Sequence, residues 1–211
     1  MIAIIDYNAG NLTSVERAIS NIGYKCIITK DIQEIEKADR IIFPGVGAAG
    51  SAMKSLVKTG LDKAIKNYFY NGKPILGICL GTQIIMSQSE ENNTECLGLI
   101  NGCTKAFSSN SDFKQIPSLK VPHMGWNSIN LLSEHPVFSS IKKDDEFYFV
   151  HSYYPFPDDY SKFVLGVTDY GISFPSIIGY KNMIATQFHA EKSGRPGLEI
   201  LKNFCKWEPS C

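Results

Sequence analysis

The first ninety residues alternate between two hydrophobic periods, and that alternation limits the fold more than anything else in the chain. MIAIID is a continuous apolar run closed by Asp6, the pattern of a strand buried on both faces. After the turn YNAG, Asn11 is placed to cap a helix in which Leu12, Val15, Ile19 and Ile22 recur on one face, and Gly23 ends it. KCIIT reads as a second strand, DIQEIEKAD as a short acidic helix, and RIIF as a third strand running into the loop PGVGAAG. Leu61, Ala64, Ile65, Tyr68 and Phe69 fall at i, i+3, i+4, i+7 and i+8, which predicts a helix stopped at Gly72. PILGI then opens the fourth strand. Strands separated by helical segments mean right-handed βαβ units and a parallel sheet covered on both faces.

Beyond Gly98 the rhythm changes. EFYFV, KFVLGV and MIATQF read as shorter strands between Pro-, Gly- and Ser-containing loops, SSNSDFKQIPS is the most polar and loop-like piece, and Leu198, Leu201 and Phe204 align on a terminal helix. With no repeat or linker, the expectation is one α/β domain over residues 1–211. Its central, mostly parallel sheet is flanked by helices, with a smaller β-rich C-terminal half. A chain of 211 residues, 44% of them hydrophobic, can bury such a core. Its 21 basic and 21 acidic residues balance, so charge gives no pull toward nucleic acid or an anionic membrane. The short apolar start has no basic leader and is too brief for a signal core or a membrane span, so a cytoplasmic protein is expected. Cys26, Cys79, Cys96, Cys103, Cys205 and Cys211 include no C-x-x-C pair; reduced thiols are expected, and no metal.

The stretch KPILGICLGTQIIM, Lys73 to Met86, sets one thiol between two glycines where strand gives way to helix. Gly77-Ile78-Cys79-Leu80-Gly81 has the G-x-nucleophile-x-G form of an elbow, whose sharp turn holds the nucleophile strained above the sheet. Flanking glycines are needed because a Cβ there would strike neighbouring backbone. The helix opening near Leu80 turns its positive end toward the sulfur, which favours thiolate, and the Leu80 N–H points where an oxyanion would form. The plain alternative is a βα turn around an inert packed cysteine. The motif needs a base to decide.

Of the histidines, His135 precedes Pro136 in a polar loop and reads as a surface residue. His189 follows MIATQF, with Glu191 two residues on. Along an extended segment, i and i+2 project to one face, so Glu191 can accept the Nδ1–H of His189 and leave Nε2 to face a thiol. Nucleophile, base and orienting acid then run Cys79, His189, Glu191. An H-x-E pair alone is often a surface coincidence; joined to an elbow it gains meaning. Pro44-Gly45-Val46-Gly47, just after the third strand, exposes backbone N–H groups, one of which can complete an oxyanion hole with Leu80. A phosphate loop is the rival, but neither G-x-x-x-x-G-K-[ST] nor G-x-G-x-x-G is present.

GICLGTQ, FHAEKSG and PGVG together resemble the class I (triad-type) glutamine amidotransferases, a family of flavodoxin-like α/β fold. IIDYNAGNL, PGVGAAGSAM, VPHMGWN and FYFVHSYY make the likeness closer to one branch, which feeds ammonia to a (β/α)₈-barrel cyclase in histidine biosynthesis. The likeness spans nearly the whole chain. It implies that Cys79 attacks the side-chain amide of L-glutamine, His189 protonates the leaving ammonia, and Glu191 holds His189. Val46 (after a peptide reorientation), Gly47 and Leu80 would form the oxyanion hole, and Gln83, Ser152 and Tyr153 would bind glutamine. Asn11, Trp126, Tyr153 and Lys192 would face the cyclase, with which the chain would form a heterodimer. No cofactor is implied. Read without the resemblance, Gln83 is a solvated helix residue, Trp126 a core residue and Lys192 a solvated charge. His123 and His151 lie inside the shared motifs as structural or interface residues.

Two positions depart from the family pattern. Ala190 stands where proline is usual, which removes one restraint at a cost of about 1 kcal/mol or less. Asn8 stands where glycine is common, and asparagine tolerates a left-handed turn. Three other readings stay open: a paralogous glutaminase serving a sugar amidotransferase of surface glycan synthesis, an inactive scaffold, and a cysteine hydrolase of a related elbow family. The intact Cys79, His189 and Glu191 weigh against the scaffold, and the C-terminal place of His189-x-Glu191 against the hydrolase.

Overall fold

The computed structural model describes residues 1–209, so Cys211 lies outside the described residues. The chain begins β1 (Ile2–Ile5), α1 (Leu12–Asn21), β2 (Cys26–Thr29), α2 (Ile32–Lys37), β3 (Arg40–Gly45), α3 (Ala49–Thr59), α4 (Leu61–Tyr70), β4 (Ile75–Cys79) and α5 (Leu80–Ile84). β2, β1, β3 and β4 lie side by side in parallel, and Met183–Thr186 adds a further parallel strand beside β4. Ile172–Tyr180, Val164–Tyr170 and Asn130–Leu131 then extend the sheet antiparallel, to eight strands in all.

Successive strand residues face opposite sides, which splits each apolar run between two half-cores. Ala3, Ile5, Ile41, Phe43 and Ile75 pack with Ile35 of α2, Leu56 of α3, and Leu61, Ile65 and Tyr68 of α4. Ile2, Ile4, Ile42, Leu76 and Ile78 pack instead with Val15, Ala18 and Ile19 of α1 and with Ile200, Leu201 and Phe204 of the C-terminal helix Gly194–Lys206.

The later part of the chain also builds two smaller sheets. Met86–Ser89, Thr94–Glu95, Ile100–Ala106 and Tyr153–Pro157 form one; His123–Ser128 pairs with Glu146–His151 to form the other. EFYFV is therefore a strand, as expected, but one that stands outside the main sheet.

Three local expectations change. Asn11 does not cap α1: it sits in a left-handed conformation (φ 78°) and its side chain makes no cap hydrogen bond. PGVGAAG is not all loop, because α3 starts at Ala49, buries Ala49, Ala52 and Leu56 along one face, and has its first free N–H satisfied by Glu91 Oε2 at 2.6 Å. Within SSNSDFKQIPS, Asn110 accepts from the Asp112 and Phe113 N–H groups, both at 3.0 Å, and caps the turn Ser111–Lys114. That turn buries Phe113 against Phe107, with ring centroids 5.1 Å apart.

Candidate active site

β3 and β4 end together, Gly45 opposite Cys79, and the candidate site lies at this C-terminal edge of the sheet, where open α/β folds place their ligands. Cys79 has φ 53° and ψ −105°, a strained left-handed turn between β4 and α5. Strand alternation alone would send its side chain away from Ile78, yet Cys79 packs in the same cluster as Leu76 and Ile78. Both neighbouring glycines are required by space. A Cβ on Gly81 would stand 1.9 Å from the Phe43 carbonyl oxygen, and one on Gly77 would stand 2.9 Å from the Ala185 Cβ.

Met183–Thr186, parallel to β4, carries the chain to Gln187 and His189 beside that turn. His189 is fully buried, and its Nδ1 lies 2.7 Å from Glu191 Oε1, the Glu191 side chain being buried too. The expected pairing is thus present, but Ala190–Lys192 is a turn of 3₁₀ helix, not an extended segment. Ala190, the departure from the family pattern, is fully buried within that turn. Burial pulls the His189 imidazole down; the Cys79 sulfur and the Glu191 carboxylate beside it outweigh that and push it up to about 10. Nε2 has no hydrogen-bond partner among the described residues, nor has Glu191 Oε2.

Two side chains that sequence reasoning did not assign to this cluster complete it. The Asn11 amide, read as a helix cap and a docking residue, donates to Glu191 Oε1, with its Nδ2 also 3.4 Å from His189 Nδ1. Gln187 points its Nε2 at Cys79 Sγ, 3.8 Å away. Its signal was only its place two residues before His189.

A cavity of about 310 Å³ opens over the sulfur, lined by Val46, Gly47, Cys79, Leu80, Gln83, Glu91, His151, Ser152 and Tyr153 among others. Gln83 is not a solvated helix residue: it is 6% exposed, and its Nε2 donates to the Tyr153 carbonyl at 2.9 Å and to Gln187 Oε1 at 3.2 Å. The same Tyr153 carbonyl is 2.8 Å from His151 Nδ1, which must therefore carry the proton. His151 Nε2 is then an acceptor, served by His123 Nδ1 at 3.0 Å, and Asn127 Nδ2 lies 3.3 Å from His123 Nε2. One directed chain of neutral groups so fixes the Tyr153 wall of the cavity.

The docking candidates divide. Trp126 is 54% exposed, which corrects its reading as a core residue; Met124 beside it is 61% exposed. Trp126 meets the Tyr148 ring edge-on at 6.0 Å, and exposed Lys192 stands over the other member of that pair, Nζ 6.0 Å from the Tyr148 centroid. His135 is half-buried and not a free surface residue: its Nδ1 accepts from the Val137 N–H at 3.2 Å and its ring packs on Trp207. No helix among the described residues is long and apolar enough to cross a membrane.

The family model for class I glutamine amidotransferases matches residues 3–207. The chain belongs to the class I glutamine amidotransferases. As an enzyme of that class it is similar along nearly its whole length to proteins named imidazole glycerol phosphate synthase subunit HisH. It is 48% identical to that of Maridesulfovibrio salexigens over 208 residues, covering 98% of this chain and 97% of the relative. The identity is again 48% over 204 residues with that of Nitratidesulfovibrio vulgaris strain Miyazaki F, covering 97% and 95%. A solved structure titled a glutamine amidotransferase superposes with a TM-score of 0.72 at 14% identity, covering 97% of this chain and all of that one, which is a likeness of fold. In this class I amidotransferase the fold is the expected one, a mostly parallel central sheet between helical layers, with a β-rich later half.

Proposed function

We propose that this amidotransferase is the glutaminase subunit of imidazole glycerol phosphate synthase, and that it works through Cys79, His189 and Glu191. The reading is carried by one conjunction: 48% identity over nearly the full length to a protein named HisH, in a chain whose elbow cysteine lies beside a buried His189–Glu191 pair.

The Cys79 sulfur attacks the side-chain carbonyl carbon of glutamine. The negative charge that develops on oxygen is met by the N–H groups of Leu80 and of the reoriented Val46–Gly47 segment, each such donor being worth about 3–4 kcal/mol in the transition state. His189, held protonated between sulfur and carboxylate, gives its Nε2 proton to the leaving nitrogen. Ammonia departs and a thioester stays on Cys79. Water then attacks the thioester, His189 takes its proton, and glutamate leaves. Gln83, Ser152 and Tyr153 hold the substrate, and Asn11 with Gln187 steadies the two ends of the reacting cluster.

Ammonia released into water would be protonated and lost, so it passes to a docked (β/α)₈-barrel cyclase. There it completes imidazole glycerol phosphate and an aminoimidazole carboxamide ribotide, in the cytoplasm, on the histidine pathway. The exposed Met124, Trp126 and Lys192 are the docking face of that heterodimer. In the test, glutamine-dependent synthesis is measured with the cyclase for wild type and Cys79→Ala. The variant should lose synthesis from glutamine and keep it from ammonium salts. Loss of both would make Cys79 a structural residue, and full glutaminase activity without the cyclase would end the idea that the Val46–Gly47 segment must reorient.

A further inference from the structure

Tyr7 follows β1, 1% exposed, its ring 5.0 Å from that of Phe43. Its hydroxyl is buried and has no hydrogen-bond partner among the described residues. Buried polar groups are almost always satisfied, because leaving one bare forfeits its hydration with no compensation. Burial, and then the Cys79 sulfur nearby, push the phenol far above its ordinary titration range, so it keeps its proton. It is a donor without an acceptor.

The hydroxyl occupies the place where Gly45 lacks a side chain. A Cβ on Gly45 would stand 1.9 Å from Tyr7 Oη and 3.3 Å from Leu80 Cβ. Gly45 has no left-handed φ that would call for glycine, so what excludes a side chain is the tyrosine oxygen. Gly45 also begins the Gly45–Val46 peptide, whose N–H is the oxyanion donor in the function proposed above. A trans peptide is planar, with its N–H and C=O on opposite sides. Turning the Val46 N–H into the cavity therefore swings the Gly45 carbonyl the other way, at the one residue whose missing Cβ leaves the space that Tyr7 Oη fills.

We propose that Tyr7 is a positioning residue for the oxyanion hole, its hydroxyl donating to the Gly45 carbonyl when the Gly45–Val46 peptide turns to face substrate. This rests on the reading of Val46 as an oxyanion donor. Two unsatisfied groups, one present at rest and one created by the turn, satisfy each other in the reactive state alone. The hydroxyl thereby lowers the barrier without strengthening the resting fold.

Tyr7→Phe keeps the ring and removes the donor. Glutamate release is measured with the cyclase present, alongside the melting temperature of the glutaminase chain and the rate at which iodoacetamide alkylates Cys79. Alkylation is a direct displacement that builds no oxyanion, so it reports on the sulfur alone. The expected result is a roughly tenfold lower kcat, the strength of one ordinary hydrogen bond. KM and the alkylation rate stay as in wild type, and Tm stays level or rises. An unchanged kcat with a lower Tm would make Tyr7 a packing group and overturn the proposal. Alkylation slowed in step with kcat would overturn it too, by placing the effect on the thiolate. If wild type releases no glutamate, the underlying function fails and takes this role with it, a result told apart by its independence of Tyr7.

Discussion

The neutral histidine chain behind the cavity makes the protein sensitive to acid in a calculable way. Burial pushes His123 down to about 4; burial and then, to a lesser degree, the neighbouring His123 and His189 push His151 down to about 3, against the Tyr153 carbonyl, which works the other way. An unfolded chain protonates both near pH 6.5. Below that pH the unfolded state binds protons that the folded state refuses, so the stability associated with neutral His151 is intact above pH 6.5. It is lost progressively as pH falls toward about 3. Each pH unit costs about 1.4 kcal/mol per proton, so between pH 6.5 and 5 His151 alone removes about 2 kcal/mol. For a chain of this size that is a fall of about 4–8 °C in Tm. His123 adds to the slope. His189 does not oppose it: a raised group contributes in full below its unfolded value and loses that contribution only as pH climbs toward about 10. Thermal unfolding at pH 7, 6 and 5 should be compared with His151→Asn, whose amide keeps a donor toward Tyr153 and cannot titrate. The variant should be less stable at pH 7 and have the flatter pH dependence. Equal slopes in the two proteins would refute the reasoning.

Further outcomes follow from single contacts. Asn11→Ala removes a donor to the Glu191 carboxylate and should lower kcat about tenfold with KM little changed, while Asn11→Asp, setting a like charge there, should do worse; steady-state glutaminase kinetics check both. Gly81→Ala drives a Cβ to 1.9 Å from the Phe43 carbonyl oxygen and should cost at least about 3 kcal/mol in denaturant unfolding. Trp126→Ala, at a residue 54% exposed, should move stability by less than about 0.5 kcal/mol yet weaken cyclase binding about tenfold or more in titration calorimetry.

What the sequence revealed depended on the range of the interaction concerned. β1 to β4 were legible because strands buried on both faces must be apolar throughout, and the elbow was legible because Cys79 needs bare backbone on both sides. α3 was hidden by its own small residues: Ala48-Ala49-Gly50 reads as loop until Ala49, Ala52 and Leu56 find the sheet. Asn11 was misread because helix-capping preference is a local rule, whereas its partner Glu191 is 180 positions away. The His123–His151 chain was invisible for a related reason. It depends on the register that sets those two residues opposite one another in neighbouring strands. His189 and Glu191 were paired correctly from spacing, through a geometry that turned out to be 3₁₀ and not extended.

Whether one sulfur is activated by the imidazole beside it can be asked directly. Burial holds the other described cysteines as thiols, with Cys96 and Cys205 pushed up to about 12 and Cys26 and Cys103 raised as well. A glutamine-mimicking chloroketone, with peptide mass mapping of the adduct at neutral pH, should therefore label Cys79 ahead of those four, and His189→Ala should abolish the preference. Labelling spread evenly over the five thiols, or unaffected by the loss of His189, would contradict the account.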